Sequence, residues 1–309
     1  MMVIFMGTPS FAVPTLHAIH ESEHELIGVV TQPDRPRGRG RKVGISPVKE
    51  LAMALGLPVI QPQTTKDNAF IGEVRRMSPH LIVVAAYGRI LTRDLLNIPP
   101  LGCINVHASL LPKYRGAAPI QWAIVNGERK TGVTIMKMDE GMDTGDILMV
   151  HEVEIGDEDT AQSLHDRLAR VGAGLIVKAM DGLERGTLQS IPQNHRQASY
   201  APPLGKEDGL IDWSLEAQAI LNRIRGLNPW PGAFSYFKGS RLKIFSGEVI
   251  HEEAREKPGT VVRSGPRGVT VTTGKGTLLI KEVQLEGRKR MPMGEFIIGN
   301  EIRPGTKMG

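Results

Sequence analysis

An asparagine and a histidine stand two positions apart in the stretch 103-CINVHASLLPKYRG-116. The apolar residues around them predict a buried strand over residues 101–106, and side chains two apart on a strand point to the same face. Asn105 and His107 therefore share a face near the carboxyl end of that strand, where ligands bind in open α/β sheets. Polar side chains there either bond to loop backbone or meet a substrate. For the pair together we favour a substrate.

A second stretch, 139-DEGMDTGDI-147, places four carboxylates in a loop between two predicted strands. They are Asp139, Glu140, Asp143 and Asp146. The spacing does not match an EF-hand calcium loop, which leaves a solvated acidic turn or a partner for His107. A carboxylate beside an imidazole fixes its tautomer and favours its charged form. Spacing alone does not tell which of the four carboxylates would do so.

A third stretch, 35-RPRGRGRK-42, carries five positive charges in eight residues and no apolar anchor. It predicts a surface loop, either simply solvated or used to contact phosphates and stack on bases. The charge balance also changes along the chain. Residues 206–309 hold 17 Lys and Arg against 12 Asp and Glu, while the remainder holds 21 of each. This excess indicates a basic surface or an anionic partner, with nucleic acid the first candidate.

The 309 residues suggest two domains, and the first two-thirds alternates strand and helix signals. Apolar runs predict strands over 3–6, 26–31, 59–60, 81–86 and 101–106. Helices are expected over 13–20, from Ser46 and Pro47 to Gly56, and over 163–181. Such alternation predicts βαβ units and a Rossmann-like parallel sheet.

The pattern changes near residue 190. A polar segment with Pro202-Pro203 suggests a linker, and a helix capped by Ser214 is expected to run to about Arg225. About five short alternating segments follow and predict an all-β unit, a small OB-like barrel. We therefore expect an α/β catalytic domain over 1–190, a linker over 191–208 and a basic β-barrel over 209–309.

Several classes of protein are disfavoured. The single cysteine, Cys103, rules out an intrachain disulfide and a multi-cysteine metal site, and we interpret it as a core residue. No apolar stretch approaches the roughly 18 residues that span a membrane, and VIFMG lacks the basic region of an export signal, so we expect a cytoplasmic protein. Signatures of P-loops, dinucleotide-binding loops, nucleophile elbows and zinc proteases are absent from the sequence.

The chain resembles the folate-dependent formyltransferases. The pattern N-x-H-x-S-L-L-P-x-x-R-G, followed by D-x-G-x-D-T-G, is long and specific. FMGTPSFA, TQPDRPRGRGRK, VVAAYGRIL, GLIDWS and RGLNPWPG extend the resemblance over nearly the whole chain. It implies transfer of the formyl group of 10-formyltetrahydrofolate to the amino group of methionine on initiator tRNA, without a metal.

The resemblance also implies roles for particular residues. The catalytic residues it implies are Asn105, His107 and Asp143. The folate contacts it implies are Ser109, Leu110, Leu111 and Pro112. The contacts to the tRNA acceptor end fall on the basic loop, at Arg37, Arg39, Arg41 and Lys42. Asn105 would donate to the formyl oxygen, and either His107 or a water on Asp143 would take the amine proton.

Other functions remain open from the sequence. The same three residues could formylate a small amine, such as an amino sugar, or release formate to water. Neither alternative uses the basic loop or the basic C-terminal part. A non-catalytic RNA-binding module is a further alternative, and the intact Asn105, His107 and Asp143 argue against it. We expect a monomer.

Overall fold

The structure, a computed structural model, describes residues 1–37, 42–252 and 255–309. The chain forms two compact units that are interleaved in sequence. One contains Met1–Pro119, Lys130–Glu154 and His165–Ala201, and the other contains Ile120–Arg129, Ile155–Leu164 and Pro202–Gly309. Residues 191–201 of the predicted linker thus belong to the first unit. The predicted boundaries at residues 190 and 208 stay a prediction.

Eleven strands and six α-helices are found among the described residues up to position 201. The strands are β1 (Met2–Gly7), β2 (Glu25–Val30), β3 (Arg35–Arg37), β4 (Lys42–Gly44), β5 (Val59–Ile60), β6 (Leu81–Ala85), β7 (Cys103–His107), β8 (Arg115–Gly116), β9 (Lys130–Lys137), β10 (Ile147–Glu154) and β11 (Tyr200–Ala201). The helices are α1 (Val13–His20), α2 (Pro47–Ala54), α3 (Asn68–Met77), α4 (Arg93–Leu96), α5 (Pro119–Val125) and α6 (Ala161–Glu184).

A seven-stranded sheet forms the centre of the first unit, in the order β10-β9-β7-β6-β1-β2-β5. The five strands from β7 to β5 are parallel, which confirms the predicted α/β class. Their apolar runs are continuous because both faces of the parallel strands are buried. Ile4, Val83 and Ile104, for example, are fully buried. Two small pairs, β3 with β4 and β8 with β11, lie outside this sheet.

Parallel pairing dominates the sheet, and two antiparallel strands complete one edge. β9 runs antiparallel to β7, and β10 runs antiparallel to β9. Antiparallel neighbours can be joined by a short loop, whereas parallel neighbours need a longer crossover. The acidic loop between β9 and β10 is such a short connection. Thr134 of β9 lies opposite His107 of β7.

The helices predicted over 13–20 and from Ser46 to Gly56 are present as α1 and α2. The Ser46 hydroxyl accepts a hydrogen bond from the Lys49 N–H at 3.1 Å, so Ser46 caps α2 as predicted, with Pro47 in the first turn. α6 is longer than the predicted 163–181. Its side chains at Leu164 and Leu168 are fully buried and belong to the core.

The second unit carries an antiparallel sheet in the order β12-β13-β16-β15-β14, with β17 beside β16. The remaining elements are α7 (Ala217–Gly226), β12 (Phe234–Phe237), β13 (Ser240–Ile250), β14 (Val261–Gly265), β15 (Gly268–Thr272), β16 (Thr277–Leu285), β17 (Met291–Pro292) and α8 (Met293–Gly299). The five predicted strands are present, and the short β17 and α8 were missed. The OB-like barrel stays a prediction.

The predicted cap of α7 is wrong. The helix begins at Ala217, and Glu216 is its N-cap residue. Ser214 instead donates its N–H and its hydroxyl to Oδ1 of Asp212, at 2.9 and 2.6 Å. A serine held in a local turn by a neighbouring aspartate cannot also cap the helix that follows.

Candidate active site

His107 ends β7 and is nearly buried, with only 6% of its side chain exposed. Its Nε2 lies 3.1 Å from the carbonyl oxygen of Tyr114. A carbonyl oxygen only accepts, so Nε2 carries the proton, and in the neutral ring Nδ1 presents a lone pair. Nδ1 lies 3.7 Å from Oδ2 of Asp143. A proton that arrives at Nδ1 would therefore form an imidazolium directly beside a carboxylate.

Asp143 is the carboxylate of the acidic loop that reaches His107. Its Oδ2 also accepts a hydrogen bond from the Gly116 N–H at 2.8 Å, and 18% of its side chain is exposed. The backbone of Asp143 is left-handed, with φ of 54°. Aspartate is one of the few residue types other than glycine that adopt this conformation routinely. Of the four candidate carboxylates, geometry thus brings Asp143 to the histidine.

The other three carboxylates of the loop have different partners. Oδ1 of Asp139 accepts from the Gly141 N–H at 3.0 Å and from the Thr144 hydroxyl at 2.6 Å, which shapes the loop itself. Oε1 of Glu140 lies 3.4 Å from Nε of Arg93, in an ion pair whose side chains are both mostly exposed. Oδ2 of Asp146 accepts from the Ser190 hydroxyl at 3.0 Å.

Asn105 lies two residues before His107 on β7 and is half-buried. Its backbone is opposite Val84 of β6 and Met136 of β9 in the sheet. Within the described ranges of the chain, the Asn105 amide has no side-chain hydrogen bond. An amide that is partly withdrawn from water without such a bond is available to a ligand.

The predicted folate residues form the turn after β7. Ser109 is fully buried; its hydroxyl donates to the Lys113 carbonyl at 2.6 Å, and its own carbonyl accepts from the Thr134 hydroxyl at 2.7 Å. The Leu111 N–H donates to the same Thr134 oxygen at 3.2 Å, and the Leu111–Pro112 peptide is cis. Leu110 is partly exposed. Folate contacts at Ser109, Leu110, Leu111 and Pro112 stay a prediction.

A buried polar network that sequence reasoning missed lies behind Asp143. Gln193 is 6% exposed, and its Nε2 donates to the carbonyl oxygens of Asp143 and Gly145, at 2.9 and 2.6 Å. Its Oε1 accepts from Nε and Nη2 of Arg115, at 3.2 and 2.6 Å. Arg115 is 2% exposed and also donates to Nδ1 of His195 at 3.1 Å. The only sequence signal was Arg115 itself, inside the KYRG motif.

The basic loop is described at its two ends. Arg37 ends β3 and Lys42 begins β4, and the two residues are opposite each other in an antiparallel pair. Arg39 and Arg41 lie outside the described residues. The predicted tRNA contacts at these four positions stay a prediction.

Burial changes the titration of two groups near β7. It raises the pKa of the Cys103 thiol to about 12, and the Cys103 Sγ lies 3.9 Å from the carbonyl oxygens of Leu95 and Leu96. Burial also raises the pKa of the Tyr87 hydroxyl, an effect that the nearby Arg89 charge partly opposes. Cys103 is thus a protonated core residue, as the sequence suggested.

Two negative findings apply to the described residues. No group of three or more His, Cys, Asp or Glu side chains in them converges as a metal site would require. In the same residues, no helix has the length and hydropathy needed to cross a membrane.

Two family models match the chain. The model described as formyl transferase matches residues 1–180, and the model described as formyl transferase, C-terminal domain, matches residues 203–301. The chain belongs to the formyl transferase family. The resemblance inferred from NVHASLLPKYRG and DEGMDTGD is therefore confirmed.

Relatives in this family match over their full length. A methionyl-tRNA formyltransferase of Pelotomaculum thermopropionicum is 52% identical over 100% of this chain and 99% of its own. One of Geobacter sulfurreducens is 50% identical over 99% of this chain and 96% of its own. Among solved structures, WlaRD, a sugar 3N-formyl transferase in the presence of dTDP and 5-N-formyl-THF, superposes with a TM-score of 0.68. It is 19% identical, over 94% of this chain and 99% of its own, and this likeness shows the formyl transferase fold.

Proposed function

We propose that this formyl transferase moves the formyl group of 10-formyltetrahydrofolate to the free amino group of methionyl-initiator tRNA, for translation initiation. The observation that carries the proposal is sequence identity of 52% and 50%, over 100% and 99% of this chain, to two methionyl-tRNA formyltransferases. The site supports it, because an amide donor, a buried imidazole and a carboxylate are the groups that amine formylation needs.

Asn105 acts on the formyl oxygen. Negative charge develops on that oxygen as the amine nitrogen bonds to the formyl carbon. The Asn105 N–H groups donate to it, and a donor of this kind is worth about 3–4 kcal/mol of transition-state stabilisation. Its half-buried position on β7 and its lack of a side-chain partner among the described residues support this role.

His107 moves the proton. Its Nε2–H is held by the Tyr114 carbonyl, so Nδ1 accepts the proton that the attacking amine loses. Asp143 stabilises the resulting imidazolium across 3.7 Å. His107 then donates the proton to the folate nitrogen as its bond to the formyl carbon breaks. The amine has gained the formyl group and the folate has gained the amine proton, so the reaction balances.

The folate and tRNA sites are proposals on the same basis. We place the folate beside the turn of residues 109–112, because this turn follows His107 directly. We place the tRNA acceptor end beside Arg37, Arg39, Arg41 and Lys42, and the excess positive charge after residue 205 supports further contacts to phosphate. Phosphate contacts give affinity and register without reading sequence. A monomer in the cytoplasm, where charged tRNA is used, completes the proposal.

A transfer assay tests the proposed reaction. The protein receives 10-formyltetrahydrofolate with methionyl initiator tRNA or elongator methionyl-tRNA, and formyl-methionine is measured. We expect rapid formylation of the initiator, lost in His107→Ala and kept in His151→Ala, which changes an exposed histidine of β10. Formylation of an amino sugar with no use of either tRNA would instead indicate a small-amine formyltransferase.

The role of the basic loop has its own test. Replacing Arg39 and Lys42 with Ala should lower kcat/KM for methionyl initiator tRNA, because two positive charges that contact phosphate in the proposal are lost. Thermal unfolding should stay unchanged. Unchanged kinetics with the tRNA would contradict the proposed contact.

A further inference from the structure

We infer that Gln193 is a positioning residue for the reaction: it bridges the buried guanidinium of Arg115 to the backbone of the Asp143 loop and so sets where the Asp143 carboxylate stands. The inference rests on the proposed function, in which Asp143 stabilises the His107 imidazolium. The sequence did not predict this role, because residues 191–208 have the composition of a linker.

Every hydrogen-bonding group of the Gln193 side chain is engaged. Its two donor hydrogens are used on the carbonyl oxygens of Asp143 and Gly145, at 2.9 and 2.6 Å, which are the residues on either side of Thr144. Its acceptor oxygen is used on Arg115, at 3.2 and 2.6 Å. A buried amide with all these groups engaged has one orientation, because a flip of the side chain would oppose donor to donor and acceptor to acceptor.

Arg115 connects this bridge to the other support of Asp143. Arg115 and Gly116 form β8, and the N–H of Gly116 donates to Asp143 Oδ2 at 2.8 Å. The loop is therefore fixed at two places: at its backbone by Gln193 and at its carboxylate by β8. Gln193 and β8 are themselves joined through Arg115. Movement of the Gln193 side chain would shift the carboxylate relative to β8 and to His107.

The backbone conformation of Asp143 indicates what the hydrogen bonds from Gln193 stabilise. A non-glycine residue with φ of 54° is less stable than in an extended or helical conformation. If the backbone changed to one of those conformations, the carboxylate would change its position relative to Nδ1 of His107. Hydrogen bonds to the carbonyls of Asp143 and Gly145 oppose that change. The bridge thus stabilises the left-handed conformation in which the Asp143 carboxylate lies beside His107.

The decisive variant is Gln193→Glu. A glutamate still accepts from Arg115, so the buried guanidinium keeps its partner, but it has no hydrogens for the carbonyls of Asp143 and Gly145. Gln197→Glu is the matched control, because it makes the same chemical change on an exposed side chain four residues later. Gln193→Met, which removes both halves of the bridge, is the second variant.

Single-turnover formylation at saturating substrates is measured first. We expect Gln193→Glu to lower the rate by about 10- to 100-fold, as the loss of two hydrogen bonds of ordinary strength would. KM for both substrates should change by less than about threefold, since Gln193 touches neither in the proposal. Gln197→Glu should keep the wild-type rate.

A double-mutant cycle with Asp143→Asn separates positioning from a general structural role. If Gln193 acts through the Asp143 carboxylate, Gln193→Glu should have little further effect once that charge is gone. An equal loss of rate in both backgrounds would overturn the inference, and so would a wild-type rate in Gln193→Glu. Failure of both Gln193 variants to fold would make the residue structural and would also overturn it.

Hydrogen exchange at Gly116 tests the role of Gln193 without relying on the proposed activity. The Gly116 amide hydrogen is bonded to Asp143 Oδ2, so its exchange with deuterium reports whether the carboxylate is in place. We expect exchange at Gly116 to be at least about tenfold faster in Gln193→Glu. Exchange at Leu111, whose N–H is bonded to Thr134, should not change. If wild-type protein proved inactive on methionyl-tRNA, the proposed function would fail, and unchanged Gly116 exchange would be the separate result that overturns the bridge.

Discussion

Replacing Asp143 with Asn changes one property of the site and keeps the others. The amide oxygen of an asparagine can still accept the Gly116 N–H, and the side chain has nearly the same size and shape. The negative charge beside Nδ1 of His107 is lost. The substitution therefore isolates the electrostatic stabilisation of the imidazolium from the packing of the loop.

The size of the effect follows from the geometry. Two unit charges 3.7 Å apart interact by about 4 kcal/mol at an effective dielectric constant of about 20. The two side chains are 6% and 18% exposed, so water weakens the interaction only in part. Since about 1.4 kcal/mol is tenfold in rate, we expect the single-turnover rate of Asp143→Asn to fall by about 10²- to 10³-fold.

The assay is single-turnover formylation of methionyl initiator tRNA, so that product release does not hide the chemical step. Glu140→Gln is the matched control, because it removes one negative charge from the same loop at an exposed ion pair with Arg93. Its rate should stay within about twofold of wild type. A folded Asp143→Asn protein with a wild-type rate, or an equal loss in both variants, would refute the reasoning.

Three further predictions concern stability and chemistry. Gly116→Ala should lower the free energy of unfolding by about 1–3 kcal/mol, because φ is +118° and the new Cβ would lie 2.7 Å from the Ala201 carbonyl oxygen; thermal unfolding beside Gly174→Ala, which meets nothing within 4 Å, checks this. Asn105→Ala should lower the single-turnover rate by about 10²- to 10³-fold with little change in folate KM; a normal rate would exclude it as the oxyanion donor. Burial raises the pKa of Cys103 from 9.0 to about 12, so the stability it contributes is complete below pH 9 and is lost as pH rises toward 12. The advantage of wild type over Cys103→Ala in chemical denaturation should therefore shrink by about 1.4 kcal/mol per pH unit above pH 9, and a constant difference would contradict the assignment.

The strands of the parallel sheet could be predicted because each is a short, continuous apolar run. That signal comes from burial on both faces, and it is local. The direction of β9 and β10 could not be predicted in the same way, because an apolar strand has the same pattern in either direction. The predicted helix cap at Ser214 was wrong for a related reason. A serine can cap a helix or bond to a neighbouring aspartate, and here it bonds to Asp212, two residues earlier.

In the candidate site, too, local patterns could be predicted, and contacts between distant parts of the chain could not. Asn105 and His107 could be placed together from the period of a strand. Asp143 could not be chosen from its loop by spacing, because the choice depends on how the loop folds back toward β7. Gln193 carried no signal at all, since a glutamine among polar and proline residues is typical of solvent-exposed chain. Its side-chain oxygen is hydrogen-bonded to Arg115, which is 78 positions away in the sequence.

That separation has a consequence for how the protein is made. Tyr114 and Arg115 are joined to Ser199 and Gln193 across 85 and 78 positions, and contacts so distant in sequence form late because a long loop must close first. A nascent chain that has emerged only to residue 180 would already contain Asn105, His107 and Asp143. It would not yet contain Gln193, which the Asp143 loop needs for its final conformation. We expect the geometry of the proposed active site to be completed only after residue 201 has left the ribosome, although its three proposed catalytic side chains were synthesised long before.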